Sequence, residues 1–91
     1  MKIKRIGIAK GHLHIETNNT EFIRIPGEMT LINKFYVDSH MDWYWIDEPT
    51  WGDITIDNLS IISLVTDLEK KEIINAINEY NNNKSIRIIF D

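Results

Sequence analysis

The first 25 residues constrain the fold most. KIKRIGIAK (2–10), HLHIET (12–17) and TEFIRI (20–25) each alternate apolar and polar side chains, and only short breaks divide them. In an extended chain successive side chains point to opposite faces, so each run predicts a strand with one face in a core. Gly11 lies between the first two runs. Glycine enters the positive-φ conformations of a tight turn without steric penalty, so a hairpin is expected there. Asn18-Asn19 divides the second run from the third, and Asn tolerates left-handed backbone, which predicts a second turn. The result is a three-stranded antiparallel meander. Leu13 and Ile15 would take the core face of the middle strand, with His12, His14 and Glu16 on a solvated face. Pro26-Gly27 is expected to end the third strand, because Pro cannot donate to a ladder and the pair is a turn signal.

Later elements follow the same logic. Phe35, Tyr36 and Val37 predict a fourth strand. Trp43 to Trp45 suggests a short strand with both indoles on one face, residues 48–53 a loop, and Ile54-Thr55-Ile56 another short strand. Thr66-Asp67-Leu68-Glu69 has the spacing of a capping box, and two acids in a first turn suit the positive end of a helix dipole. Ile73, Ala76, Ile77 and Tyr80 then recur as one stripe, with Lys70, Lys71, Asn75, Asn78 and Glu79 mostly on the other sides. This predicts a long amphipathic helix at about 67–82, followed by a last strand in SIRIIF (85–90). With no repeat and no linker, residues 1–91 form a single α+β domain: an antiparallel sheet packed against one long helix.

Composition narrows the chemistry. The chain has no cysteine, which excludes disulfides, thiolate zinc sites and a cysteine nucleophile. All four glycines are isolated, so no glycine-rich phosphate loop is present. No window approaches the roughly 18 apolar residues of a membrane helix, and the start reads as a strand rather than a signal peptide. A cytoplasmic protein with no cofactor and no membrane partner is expected.

The charges are unevenly placed. Residues 1–34 hold six bases and three acids, residues 35–69 hold eight acids and no Lys or Arg, and residues 70–91 hold four bases and three acids. An acidic block of this kind argues against direct binding of nucleic acid, whose phosphates need cations. It suits a basic protein partner, or a solvated surface kept for solubility. All three tryptophans fall inside the block, in MDWYWIDEPTW (41–51). One of Trp43 and Trp45 is expected to pack under the helix, and Trp51, beside Pro49 and Gly52, to be exposed. Tryptophan anchors binding patches because it buries much area with few torsions. The candidate interface is therefore Asp42, Trp43, Asp47, Glu48, Trp51 and Asp53. No catalytic residue and no metal ligand is assigned, and an enzyme is not expected. Two other readings stay open. His12 and His14, with Glu16 two positions on and His40 as a further ligand, could hold zinc or serve as acid and base in a hydrolytic site. The acidic block could also mimic nucleic acid and occupy a DNA-binding protein.

IPGEM (25–29), FYVDS (35–39) and EKKEIINAI (69–77) together resemble a family of small immunity proteins from bacterial polymorphic toxin and contact-dependent inhibition systems, immunity protein family seventy-four. The likeness covers roughly the first 45 residues and the helix. Residues 46–65 are longer and more hydrophobic than the family pattern, and SIRIIF is an additional strand. The resemblance implies a non-enzymatic inhibitor that binds one toxin domain, one to one. Such toxins are often nucleases with basic clefts. It carries no catalytic residues. Within IPGEM, Gly27 is expected to take a turn conformation capped by Glu28.

Overall fold

The computed structural model describes residues 1–9, 11–30, 33–47, 61–80 and 87–90. The strands are β1 (Ile3–Ala9), β2 (His12–Thr17), β3 (Phe22–Met29), β4 (Lys34–Val37), β5 (Tyr44–Ile46) and β6 (Ile61–Leu64). One helix, α1 (Asp67–Tyr80), and a last strand, β7 (Arg87–Phe90), complete the fold. The expected α+β architecture is present: among the described residues, a seven-stranded, mostly antiparallel sheet with an N-terminal meander and one helix against it.

The meander forms as the alternation predicts, with Ile6 opposite Ile15 and Ile8 opposite Leu13, then Leu13 opposite Ile25 and Ile15 opposite Ile23. Gly11 turns β1 into β2 with φ +85°. The second turn is built differently from the expectation. The left-handed residue there is Thr20, with φ 60°, rather than an asparagine. The hydroxyl of buried Thr17 accepts the backbone N–H groups of Asn19 and Glu21 at 3.3 and 3.2 Å. That side-chain bridge satisfies turn donors that the strands leave unpaired.

Pro26-Gly27 does not end β3. The strand runs through it to Met29, pairing with β2 as far as Pro26 and with β4 from Gly27 onward. The missing proline N–H thus falls where one ladder ends and the next begins. Gly27 is not left-handed; it is required by close approach. A Cβ there would overlap the Phe35 ring and the Tyr36 carbonyl oxygen of β4. β5 pairs antiparallel with the first half of β3 and β6 with β5. β7 adds to β4 in parallel, the one parallel pair among the described strands.

The capping box is formed. Thr66 N–H donates to Glu69 Oε1 at 2.8 Å, and Glu69 N–H donates to Thr66 Oγ1 at 3.2 Å. Ile73, Ala76 and Ile77 are buried, as the stripe predicts, and Tyr80 is half-buried. Residues 81 and 82 lie outside the described residues. The core joins Leu13, Ile15, Ile23, Ile25, Phe35, Val37, Trp43, Val65, Ile73, Ile77 and Ile88. Lys70 departs from the expected solvated face. Its Nζ donates to the carbonyls of Ser39 and Met41 at 2.8 and 2.9 Å, and it stands 5.3 Å from the centre of the Trp43 ring.

Candidate functional site

Trp43 has no exposed surface. Its indole packs tilted against Phe90 and beneath Lys70, and its carbonyl accepts the N–H of Val65. It is the core tryptophan of the pair and leaves the candidate interface for that reason: a side chain with no accessible area cannot meet a partner. Trp45, two residues on, is half-buried and lines a cleft of about 400 Å³.

This cleft gathers residues from four parts of the chain. β5 brings Trp45 and Ile46 with Asp47 just beyond, the turn after β2 brings Glu21, β6 brings Ile62 and the helix brings Glu69. Among the described residues lining it, the charged groups are three carboxylates, with no Lys or Arg. Ile62 stands 65% exposed beside them. Glu69 is held ionised: the Thr66 backbone N–H in the capping box, with the Trp45 indole N–H and the Thr66 hydroxyl, lowers its pKa against the opposing effect of burial. A half-buried indole rimmed by fixed negative charge is suited to a lysine or arginine, through charge pairing and the ring face together.

Of the sequence-predicted interface, Asp47 lies in this cleft and Asp42 does not. Asp42 is exposed in a second cleft, with His12, Arg24, His40 and Tyr44. Glu48, Trp51 and Asp53, with the expected strand at Ile54–Ile56, lie outside the described residues. Glu21, Trp45, Ile62 and Glu69 were not among the sequence candidates. Glu21 and Glu69 belong to a turn and a helix cap far apart in sequence, and only the β3–β5–β6 pairing brings them to one rim.

The histidines differ from expectation. His12 and His14 are buried, 4% and 2% exposed, so their face of β2 is not solvated. Their rings lie 4.3 Å apart, and Arg24 Nη2 is 3.2 Å from His12 Nδ1. Burial, reinforced by the nearby His12 and Arg24 charges, lowers the His14 pKa from 6.5 to about 4, so its imidazole is neutral near neutral pH. His40 is exposed and lines the second cleft with His12, whereas His14 does not. Among the described residues no group of three or more His, Asp or Glu is placed to hold a metal ion. No family model matches the chain, and neither a curated protein nor a solved structure matches it.

Proposed function

We propose that this chain is an immunity protein, a stoichiometric inhibitor that occludes a cognate toxin domain by presenting the acidic Trp45 cleft to a basic surface. One observation carries the reading: among the described residues the cleft combines an indole, an exposed isoleucine and three carboxylates without a compensating base. Charges of one sign around an aromatic anchor speed encounter with an oppositely charged partner and fix its orientation. The resemblance of IPGEM, FYVDS and the helix to the immunity family points the same way. A toxin nuclease, whose substrate-binding cleft must be basic to hold phosphates, is the partner that fits this charge.

The test is a calorimetric titration of the full chain against the C-terminal toxin domain encoded immediately upstream. The expected result is a one-to-one complex of nanomolar or tighter affinity. Glu21→Lys combined with Asp47→Lys is expected to weaken it at least about tenfold while leaving the fold intact, since reversed charges at an interface cost affinity steeply. No complex with that domain would overturn the reading. A complex indifferent to both reversals would move the contact away from Trp45.

A further inference from the structure

Residues of IPGEM and FYVDS meet in one groove. Pro26 and Glu28 come from the first, Tyr36, Val37 and Asp38 from the second, and Met41 from the connection between β4 and β5. The groove has a volume of about 410 Å³, and no described residue lines both it and the Trp45 cleft. Tyr36 and Met41 stand 43% and 49% exposed beside it. Glu28 is directly opposite Tyr36 in the β3–β4 ladder, so carboxylate and phenol ring lie side by side on one face of the sheet.

The backbone under this surface is held in place. Asp38 Oδ1 accepts the His40 N–H at 2.8 Å, and the Asp38 carbonyl accepts the Met41 N–H at 3.2 Å and the Trp43 indole N–H at 3.4 Å. From the helix, Lys70 Nζ closes the same connection through the Ser39 and Met41 carbonyls. Large apolar side chains kept in water by an ordered backbone suit a contact surface, because little ordering entropy is left to lose on binding. The charge is one-signed. Glu28 and Asp38 are the charged groups of the groove among the described residues, and neither pairs with a described Lys or Arg.

We propose that this groove binds an extended, arginine-bearing segment of a protein partner, with the guanidinium on the Tyr36 ring and paired to the carboxylates of Glu28 and Asp38. Charge complementarity selects a cation. A ring face beside carboxylates selects arginine over lysine, because the planar guanidinium stacks and forks at once. The second cleft adjoins the groove across Gly11, Pro26 and Met41, so the surface continues from Tyr36 towards Tyr44 and is longer than one side chain. Arg24 lines its far part, which places the partner's cation at the Tyr36 end and apolar neighbours of that cation over Pro26 and Met41. The proposal does not rest on the inhibitor reading, which concerns the Trp45 cleft.

The full chain, labelled with nitrogen-15, is titrated at constant ionic strength with an end-blocked hexapeptide of alternating arginine and leucine and followed by NMR. Saturable shifts are expected at the amides of Gly27, Glu28 and Met41. The same peptide with citrulline for arginine, alike in shape but uncharged, is expected to bind at least about fivefold more weakly, and with lysine about threefold more weakly. Glu28→Gln combined with Asp38→Asn, which keeps the side-chain oxygen that holds the His40 N–H, is expected to weaken binding about fivefold. Tyr36→Ala, at an exposed position, is expected to weaken it about threefold. The amide spectrum of each variant reports its fold. Four results each overturn the proposal: no saturable shift at these amides, citrulline or lysine binding as tightly as arginine, affinity unchanged in both variants, or the same shifts on diluting the chain alone, which would give the groove to a second copy. Shifts confined to the Trp45 indole would be a case of the first, and would leave the inhibitor reading standing.

Discussion

β2 and β6 exchange the roles their compositions suggest. β2, HLHIET, carries two histidines, a glutamate and a threonine, yet five of its six residues are buried. β6, IISL, carries two isoleucines and a leucine, and all four residues are exposed. The difference is position in the sheet. β2 lies between β1 and β3, with Leu13 and Ile15 in the central core. Its other face lies among Arg24 and the lining of the second cleft, the one that holds Asp42 and Tyr44. β6 pairs only with β5 among the described strands, and the buried helix residues belong to the core on β1 and β7 rather than to it. Polar side chains are therefore tolerated inside where hydrogen bonds and neutral protonation states meet them. Apolar side chains left outside, next to a charged cleft, read as contact surface.

The comparison breaks most readily at Leu13. Leu13→Ala removes a fully buried side chain and is expected to cost about 2–5 kcal/mol in chemical denaturation. If it costs no more than a surface change, β2 is not central. Acid sharpens the same contrast. Because the His14 pKa is lowered from 6.5 to about 4 in the folded chain, the unfolded state binds its proton first as pH falls. Stability from this group is complete above pH 6.5 and is lost progressively down to about pH 4, amounting to about 3 kcal/mol in all. His14→Gln should flatten that window in a pH series of denaturation curves; an unchanged slope would assign the loss to other groups. Gly27→Ala tests the join between the two ladders of β3. With Phe35 and the Tyr36 carbonyl in the way, it is expected to cost about 1–3 kcal/mol, and thermal unfolding would detect it. The smallest effect belongs to β6. Ile62→Ser should change stability by no more than about 0.5 kcal/mol. On the proposed inhibitor reading it should nonetheless weaken binding of the basic partner measurably, and a destabilisation comparable to that of Leu13→Ala would make β6 a core strand.

The elements legible in the sequence were those specified locally. Alternation placed the meander, Gly11 its first turn, and Thr66 with Glu69 the helix start, because each depends on residues within a few positions. What depended on distant neighbours was not legible. The alternation in β2 gives two faces but not what covers the second, so His12 and His14 read as solvated. Pro26-Gly27 carries a turn signal in isolation, and only the change of partner from β2 to β4 explains a strand running through it. β6 has no alternation because neither of its faces enters the core, which removes the period by which a strand is recognised. In the tryptophan segment the expected core indole is Trp43, and Trp45 is half-buried; Trp51, the indole expected at the surface, lies outside the described residues. That Trp43 rather than Trp45 is the core indole follows from Lys70 and Phe90, far along the chain. Two of the acids of the Trp45 cleft were hidden for the same reason: Glu21 lies outside the acidic block, and Glu69, at its end, reads locally as the helix cap.

The parallel pair of β4 and β7 has a consequence for time. Lys34–Val37 meets Arg87–Phe90 only after the whole intervening segment, helix included, has been made. Contacts so remote form late, because closure entropy must be met before they repay it. A ribosome working at about 5–20 residues per second exposes the β4 edge for seconds before its partner emerges. During that interval Phe35 and Val37 lack the neighbour that completes their packing, and the nascent meander must hold them unaided. On the proposed inhibitor reading, protection would therefore lag synthesis until β7 docks, and variants that loosen β7 would delay it before they lowered the final affinity.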